Sequence, residues 1–258
     1  MCAKIKLSKT SLFHYIKLIF RSFIFLLATA FYILKRTSDF NNGFSVLAIF
    51  VWIIYIVEIC LRFIPSNIES RGCQKQFKHN YKPTGQSSIK EEHQWWRTAI
   101  VLGSWCLLNG IIAALYYLGV IDKGIMILIS LAYSVCDIIC ILFFCPFQSW
   151  MLKNKCCSSC RIYNWDYAMM FTPLIFIGSL YGWSLFGISF LLLLRWEIAY
   201  RFYQERFYPS TNEFLQCANC QEKLCTHKKQ LKTLWKHETK RLKKLKEKLQ
   251  NKNHTKNP

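Results

Sequence analysis

Six of the thirteen cysteines fall in two short groups, Cys156-Cys157-Ser158-Ser159-Cys160 and Cys217-Ala218-Asn219-Cys220 followed by Cys225 and His227. Cys157/Cys160 and Cys217/Cys220 are C-x-x-C knuckles. This spacing lets two thiolates converge on one ion while nearby backbone N–H groups support the sulfurs. Two knuckles make a tetrahedral four-cysteine zinc site with Zn–S distances of about 2.3 Å. The same four thiolates suit an iron–sulfur cluster, the alternative cofactor. Cys156, Cys225 and His227 are alternate ligands or supporting groups, and the sequence does not choose among them. Four thiolates leave no open position for water or substrate, so a structural staple is the expected role.

A second chemistry-bearing residue is Asp137, inside an apolar stretch where an ionised carboxylate costs about 2.5–3.5 kcal/mol to insert. Tyr133 and Cys140 share its helical face, and Asn109 in the preceding apolar stretch is its expected partner. A single carboxylate at depth fits a hydrogen-bonded packing residue. A proton or metal relay through Asp137 is the competing expectation. Glu58 and Arg62, four apart, read as an ion pair at a membrane interface.

Motifs for enzymes are missing. Glu91-Glu92 with Arg97 approaches the paired-glutamate motif of an intramembrane protease family, but the arginine stands one residue too far and no membrane-embedded histidine pair follows. There is no phosphate-binding loop, nucleophile elbow or H-E-x-x-H. The expectation is a protein without enzymatic activity.

The elements that must position these residues are membrane helices. The chain has 258 residues, 53% of them hydrophobic, and a net charge of +20. The apolar residues run in continuous stretches near the 20 or so needed to cross a bilayer core. Spans are expected over 12–34, 44–64, 98–120 and 125–147, the last ended by Pro146. Ala28-Thr29-Ala30 resembles a signal-peptidase site, but the apolar run continues past it, so a retained helix is expected.

The stretch 167–194 is long for one helix and short for two. Charge decides between them. The N-terminus, 65–97, 148–166 and the C-terminal tail are the basic segments, and Lys and Arg near span ends favour the cytoplasm. A hairpin turning near Gly182, its helices extended by 162–166 and 195–203, keeps all four on one side. A short re-entrant pair does the same. The expected fold is therefore all-α, with about six transmembrane helices (four plus a C-terminal membrane hairpin), a cytoplasmic Cys-rich segment and a basic helical tail. Both termini are expected in the cytoplasm.

The organisation follows: an N-terminal helical pair over 1–64, a basic cytoplasmic loop over 65–97, and membrane helices over 98–207 with the Cys-rich loop 148–166. A Cys-rich metal-binding segment over 208–227 and a basic amphipathic tail over 228–258 complete it. The hairpin would bring both knuckles to one membrane face, where a reducing compartment favours metal over disulfides. Beyond the last span, Glu197, Arg201 and Glu205 are spaced to pair along a helix, and Ser210 to Glu213 fits a capping box.

Residues 226–258 hold eleven Lys, one Arg and two Glu, a net +10. Leu231, Trp235, Leu242, Leu245 and Leu249 form a narrow apolar stripe at helical spacing. Anionic lipid headgroups are the expected partner, with a protein partner or a second copy of the chain next. Nucleic acid ranks last, because no base-reading motif accompanies the charge.

Residues 153–157 together with Cys160-Arg161-Ile162-Tyr163-Asn164-Trp165-Asp166, Arg195-Trp196-Glu197 and the second cysteine group resemble multi-pass membrane proteins of Gram-positive bacteria. The resemblance covers the C-terminal half. It implies a bacterial plasma membrane and brings no assigned activity. The sequence thus points to a membrane protein with a structural zinc site of four cysteines. An iron–sulfur redox protein is the first alternative, and a small ion or metal transporter working through Asp137 the second.

Overall fold

A computed structural model describes residues 8–35, 41–66, 72, 74–86, 95–154, 156, 159–220 and 222–254. Cys157 and the Glu91-Glu92 pair lie outside these residues. Seven α-helices carry the described chain: α1 (Lys9–Lys35), α2 (Asn41–Arg62), α3 (Trp95–Tyr117), α4 (Lys123–Leu142), α5 (Asp166–Ile175), α6 (Leu180–Phe202) and α7 (Leu224–His254). No strand occurs among the described residues. One isolated antiparallel bridge joins Pro83 to Asn212.

Four of these helices, α1, α3, α4 and α6, are long and apolar enough to cross a membrane. Their outward faces carry large apolar side chains such as Ile19, Phe23, Leu107 and Leu191, all more than half exposed. A belt of this kind suits a hydrocarbon surround better than water. α2 adds 22 helical residues. α5 has only 10 residues. At about 1.5 Å per residue it rises about 15 Å, half of a bilayer core, so the expected full-length fifth span is not formed. Pro173 lies inside α5, lacks an N–H for the helix ladder, and the helix stops two residues later.

The hairpin turn therefore falls at residues 176–179, just before the expected Gly182. Gly178 takes a positive φ of 70° in that turn, and Ser179 Oγ accepts the Gly182 N–H at 3.2 Å to start α6. Gly182 has a different task. A Cβ there would sit 2.6 Å from the Leu174 carbonyl oxygen, so glycine permits the close α5–α6 crossing.

The α3–α4 hairpin forms as the sequence indicates. Asp122 Oδ1 caps α4 by accepting the Ile125 N–H at 2.8 Å, and Tyr32 on α1 donates to the other oxygen at 2.9 Å. α4 ends at Leu142, earlier than expected, and Pro146 instead opens a π-helical turn over Phe147–Met151. Asp137 consequently lies little more than one turn from the end of its helix.

The core runs along α1, α2, α4, α5 and α6, with Ile24, Ala28, Tyr55, Ile59, Leu131, Met170, Phe171 and Leu192 buried together. A second cluster forms the cap at one end of the bundle. Trp165, Trp196, Phe207, Ile162 and Cys160 are buried there. Lys75 is fully buried in this cap, donating to the Cys160 carbonyl at 3.3 Å and lying 5.3 Å from the Trp196 and Phe207 rings.

Two local pairings differ from expectation. Glu197 pairs with Arg161 and accepts from Trp165 Nε1 at 2.8 Å, rather than pairing along its own helix. Asn212, and not Ser210, caps the short turn at Glu213–Leu215 by accepting the Phe214 N–H.

Candidate functional site

The most heavily charged place inside the bundle is where α1, α2 and α4 meet. Arg21, at the middle of α1, is 2% exposed. Its Nη2 lies 2.8 Å from Glu58 Oε2 on α2, and its Nη1 lies 3.1 Å from Asp137 Oδ2 and 3.0 Å from the Ser134 carbonyl on α4. Lys17, one turn earlier on α1, reaches Glu58 Oε1 at 3.5 Å. Tyr167 donates to Glu58 Oε2 at 2.9 Å. The Arg21 guanidinium also stands 5.5 Å and 5.9 Å from the Tyr55 and Tyr167 ring centres.

Two cations and two carboxylates leave this group neutral, which is how charges are retained away from water. Asn109, expected beside Asp137, donates instead to the Trp105 carbonyl of its own helix at 3.0 Å. Glu58 and Arg62, expected as a pair, part company. Arg62 meets Asp166 at 2.7 Å and Asn164 at 3.3 Å. Cross-helix partners with complementary charge outcompete the neighbour one turn away, because a weak i, i+4 pair contributes only a few tenths of a kcal/mol.

Two cavities adjoin residues of the ionic centre. The first, about 140 Å3, is lined by Asp137, Asp166, Cys136, Cys140, Cys145 and Cys160, among others. The second, about 830 Å3, has Tyr55, Ser130 and Phe171 at its floor and reaches Tyr32, Asp122 and Ser179 at the opposite end of the bundle. Tyr55 lines the second cavity and stacks on Arg21; Asp137 holds Arg21 and lines the first. The centre thus adjoins the first cavity through Asp137 and the second through Tyr55.

Of the cysteines expected to bind metal, Cys160, Cys217 and Cys220 lie among the described residues. Cys160 is buried against the first cavity, whereas Cys220 lines a separate cleft with Lys82, Glu213 and Lys223. Cys217 is exposed, and Cys156 and Cys225 are half-buried. Among the described residues no group of three His, Cys, Asp or Glu side chains is arranged to hold a metal ion. The chain does bring both cysteine segments to one end of the bundle. Residues 74–84 bridge them, since Lys75 reaches Cys160, Arg206 Nη1 donates to the Gln76 carbonyl at 3.0 Å, and Thr84 Oγ1 donates to the Ser210 carbonyl at 2.6 Å.

His227 belongs to another contact. Its Nε2 lies 2.9 Å from Tyr15 Oη on α1, and the imidazole is 2% exposed. Burial pushes its pKa below the ordinary 6.5, so the neutral ring is favoured. Ser8 Oγ donates to the Glu222 carbonyl at 2.7 Å, and Leu224 packs on Ile138 and Leu142. These contacts dock the root of α7 on α1 and α4. Further along, Trp235 and Leu242 on the stripe are strongly exposed.

No family model, curated protein or solved structure matches this chain.

Proposed function

We propose that the chain is a multi-pass membrane protein whose ionic centre passes protons through the bundle, making it a small proton-linked transporter. α2 joins the four long apolar helices as a span in this reading, and the half-length α5 enters the membrane and turns back into α6. The α5–α6 hairpin returns to the face it leaves, so both termini, the cysteine cap and the Lys-rich tail share the cytoplasmic side. The tail lies along anionic headgroups of the membrane.

The observation that carries the reading is Arg21 bridging Glu58 and Asp137 from three helices, beside the cavity that Asp137 lines. Ionisable groups at membrane depth face pathways and relays more often than lipid. The chemistry favours a proton over a metal cation. Lys17 and Arg21 cancel the negative field that a metal ion would need. A proton, by contrast, neutralises Asp137 and releases Arg21 to Glu58 alone, so protonation and rearrangement are coupled at one residue.

The test is proton flux across liposomes containing the purified chain. The wild-type protein moves protons down an imposed potential, and Asp137→Asn, which keeps the shape and one acceptor, abolishes that flux. Equal flux from the variant, or none from folded wild-type protein, rules the proposal out.

A further inference from the structure

The larger of the two cavities shares Tyr55 with the surroundings of the ionic centre and otherwise lies apart from it. At about 830 Å3 it falls within the range of pockets that enclose a drug-sized ligand. Its walls are mostly apolar: Ala28, Val51, Ile127, Leu131, Leu174 and Leu185 come from α1, α2, α4, α5 and α6. Along α4 it runs from Lys123 to Leu131, a depth of about 12 Å at about 1.5 Å per residue. Ser130, at the floor, spends its hydroxyl on the Met170 carbonyl at 2.9 Å. Unfilled space between apolar side chains is costly, and walls of this kind hold hydrocarbon better than water.

Specific contacts build the mouth. Tyr32 on α1 packs so closely on Gly124 that a Cβ there would lie 2.5 Å from its ring, and its hydroxyl donates to Asp122 at 2.9 Å. Trp52 on α2 donates to Ser184 on α6 at 2.8 Å and meets the Tyr181 ring edge-on at 6.1 Å. The first residues of α4 and α6 line this end, and a helix N-terminus carries positive partial charge. The Asp122 carboxylate is occupied by Tyr32 and the Ile125 N–H. Lys123, exposed in the first turn of α4, makes no ion pair among the described residues, at a position where the dipole disfavours a lone cation. Ser179 Oγ accepts the Gly182 N–H and keeps its own proton to donate. An ammonium group, a hydroxyl and two helix ends thus stand over an apolar shaft.

We propose that this cavity binds a medium-chain fatty acid, with its methyl end at Tyr55 and Phe171 and its carboxylate at Lys123 and Ser179. The ammonium and the helix ends recognise the anionic head, and the apolar walls take the chain. One chain suits a shaft whose opening is bounded by the Tyr32–Asp122 and Trp52–Ser184 contacts, whereas a phospholipid brings a second tail. Tyr32 and Tyr181 at the mouth are residues that favour headgroup depth, where a fatty-acid carboxylate resides. The site does not rest on proton passage through the ionic centre.

The experiment irradiates the full-length wild-type chain in phosphatidylcholine nanodiscs with lauric acid carrying a diazirine at its methyl end, and maps the adducts by peptide mass spectrometry. Adducts form on the floor residues Tyr55, Leu131 and Phe171, and unlabelled lauric acid removes them where methyl laurate does not. Lys123→Gln, a change at an exposed side chain, raises the lauric acid needed for this competition about threefold. Adducts confined to the outward-facing Leu107 and Leu191 overturn the proposal in the native chain, without reliance on a variant. Equal competition by methyl laurate, or unchanged competition in Lys123→Gln, overturns it as well. Competition by phosphatidylglycerol at the same concentration as lauric acid assigns the cavity to a bilayer lipid and overturns the fatty acid.

Discussion

At the scale of single residues, Arg21 decides how the bundle closes. One guanidinium satisfies acceptors on two other helices, so its removal leaves Asp137 without its cation and Glu58 with Lys17 alone. Arg21→Ala is expected to lower the unfolding free energy by about 3–5 kcal/mol, the usual consequence of leaving a buried charge uncompensated. Replacing all three groups at once, as Arg21→Met with Glu58→Gln and Asp137→Asn, should recover most of that loss while still abolishing transport. Thermal unfolding in detergent checks both expectations. A stable single variant would mean that water reaches the site freely.

Arg21 is also the residue the sequence hid best. A cation near the start of an apolar run reads as an interfacial flank, and the expected span begins at residue 12. The helix begins at Lys9, so Arg21 stands near its middle, where it meets Glu58 and Asp137. The available signal is complementarity. Glu58 and Asp137 are lone carboxylates in two separate apolar stretches, and Arg21 is the matching cation in a third.

At the scale of elements, α7 has a docked root, and further along it Trp235 and Leu242 are exposed. His227 is held neutral against Tyr15, whereas a released imidazole titrates near 6.5. The detached tail therefore takes up a proton more readily than the docked one. Docking strength is full above about pH 6.5 and declines as pH drops through the lowered value. Hydrogen exchange at 224–230 should accelerate on acidification in the wild-type protein and lose that pH dependence in His227→Phe. Beyond the root, the exposed Trp235 and Leu242 share a face of a Lys-rich helix. Binding of the full chain's tail to phosphatidylserine bilayers should gain about 1 kcal/mol per basic residue at the surface and weaken as salt rises. Trp235 fluorescence in nanodiscs of anionic against neutral lipid reads this out, and identical spectra in both would count against a lipid-facing tail.

Turn chemistry is well marked at the element scale, since Asp122 caps α4 where the sequence says a tight loop ends. The α5–α6 hairpin is harder. A continuous apolar stretch with Pro173 and three glycines does not reveal its own turn, and periodicity cannot separate a half-length helix from a full one. The close approach of Leu174 to Gly182 settles the geometry through packing, a relation between residues that pattern alone does not carry.

For the whole molecule, four long apolar helices and an apolar outer belt agree with the class expected from composition. The sidedness in the proposed function can be tested by the exposed Cys217. In intact cells an impermeant maleimide should leave it unlabelled, with labelling only after permeabilisation; labelling before that step reverses the topology. The zinc expectation depends on two knuckles meeting. Residues 74–84 join the two cysteine segments through hydrogen bonds, so the cap has a connection that involves no thiol. Which sulfurs meet is decided by helix register, and spacing along the chain gives no access to that.

Conduction through the ionic centre is the claim on which this account turns, and the proton current of reconstituted wild-type protein measures it directly. With a potassium diffusion potential across sealed liposomes, internal pH should shift in the direction of the potential, at a rate that scales with protein density and vanishes in Asp137→Asn. A folded, correctly inserted wild-type protein that leaves internal pH no different from that of empty liposomes would contradict the account.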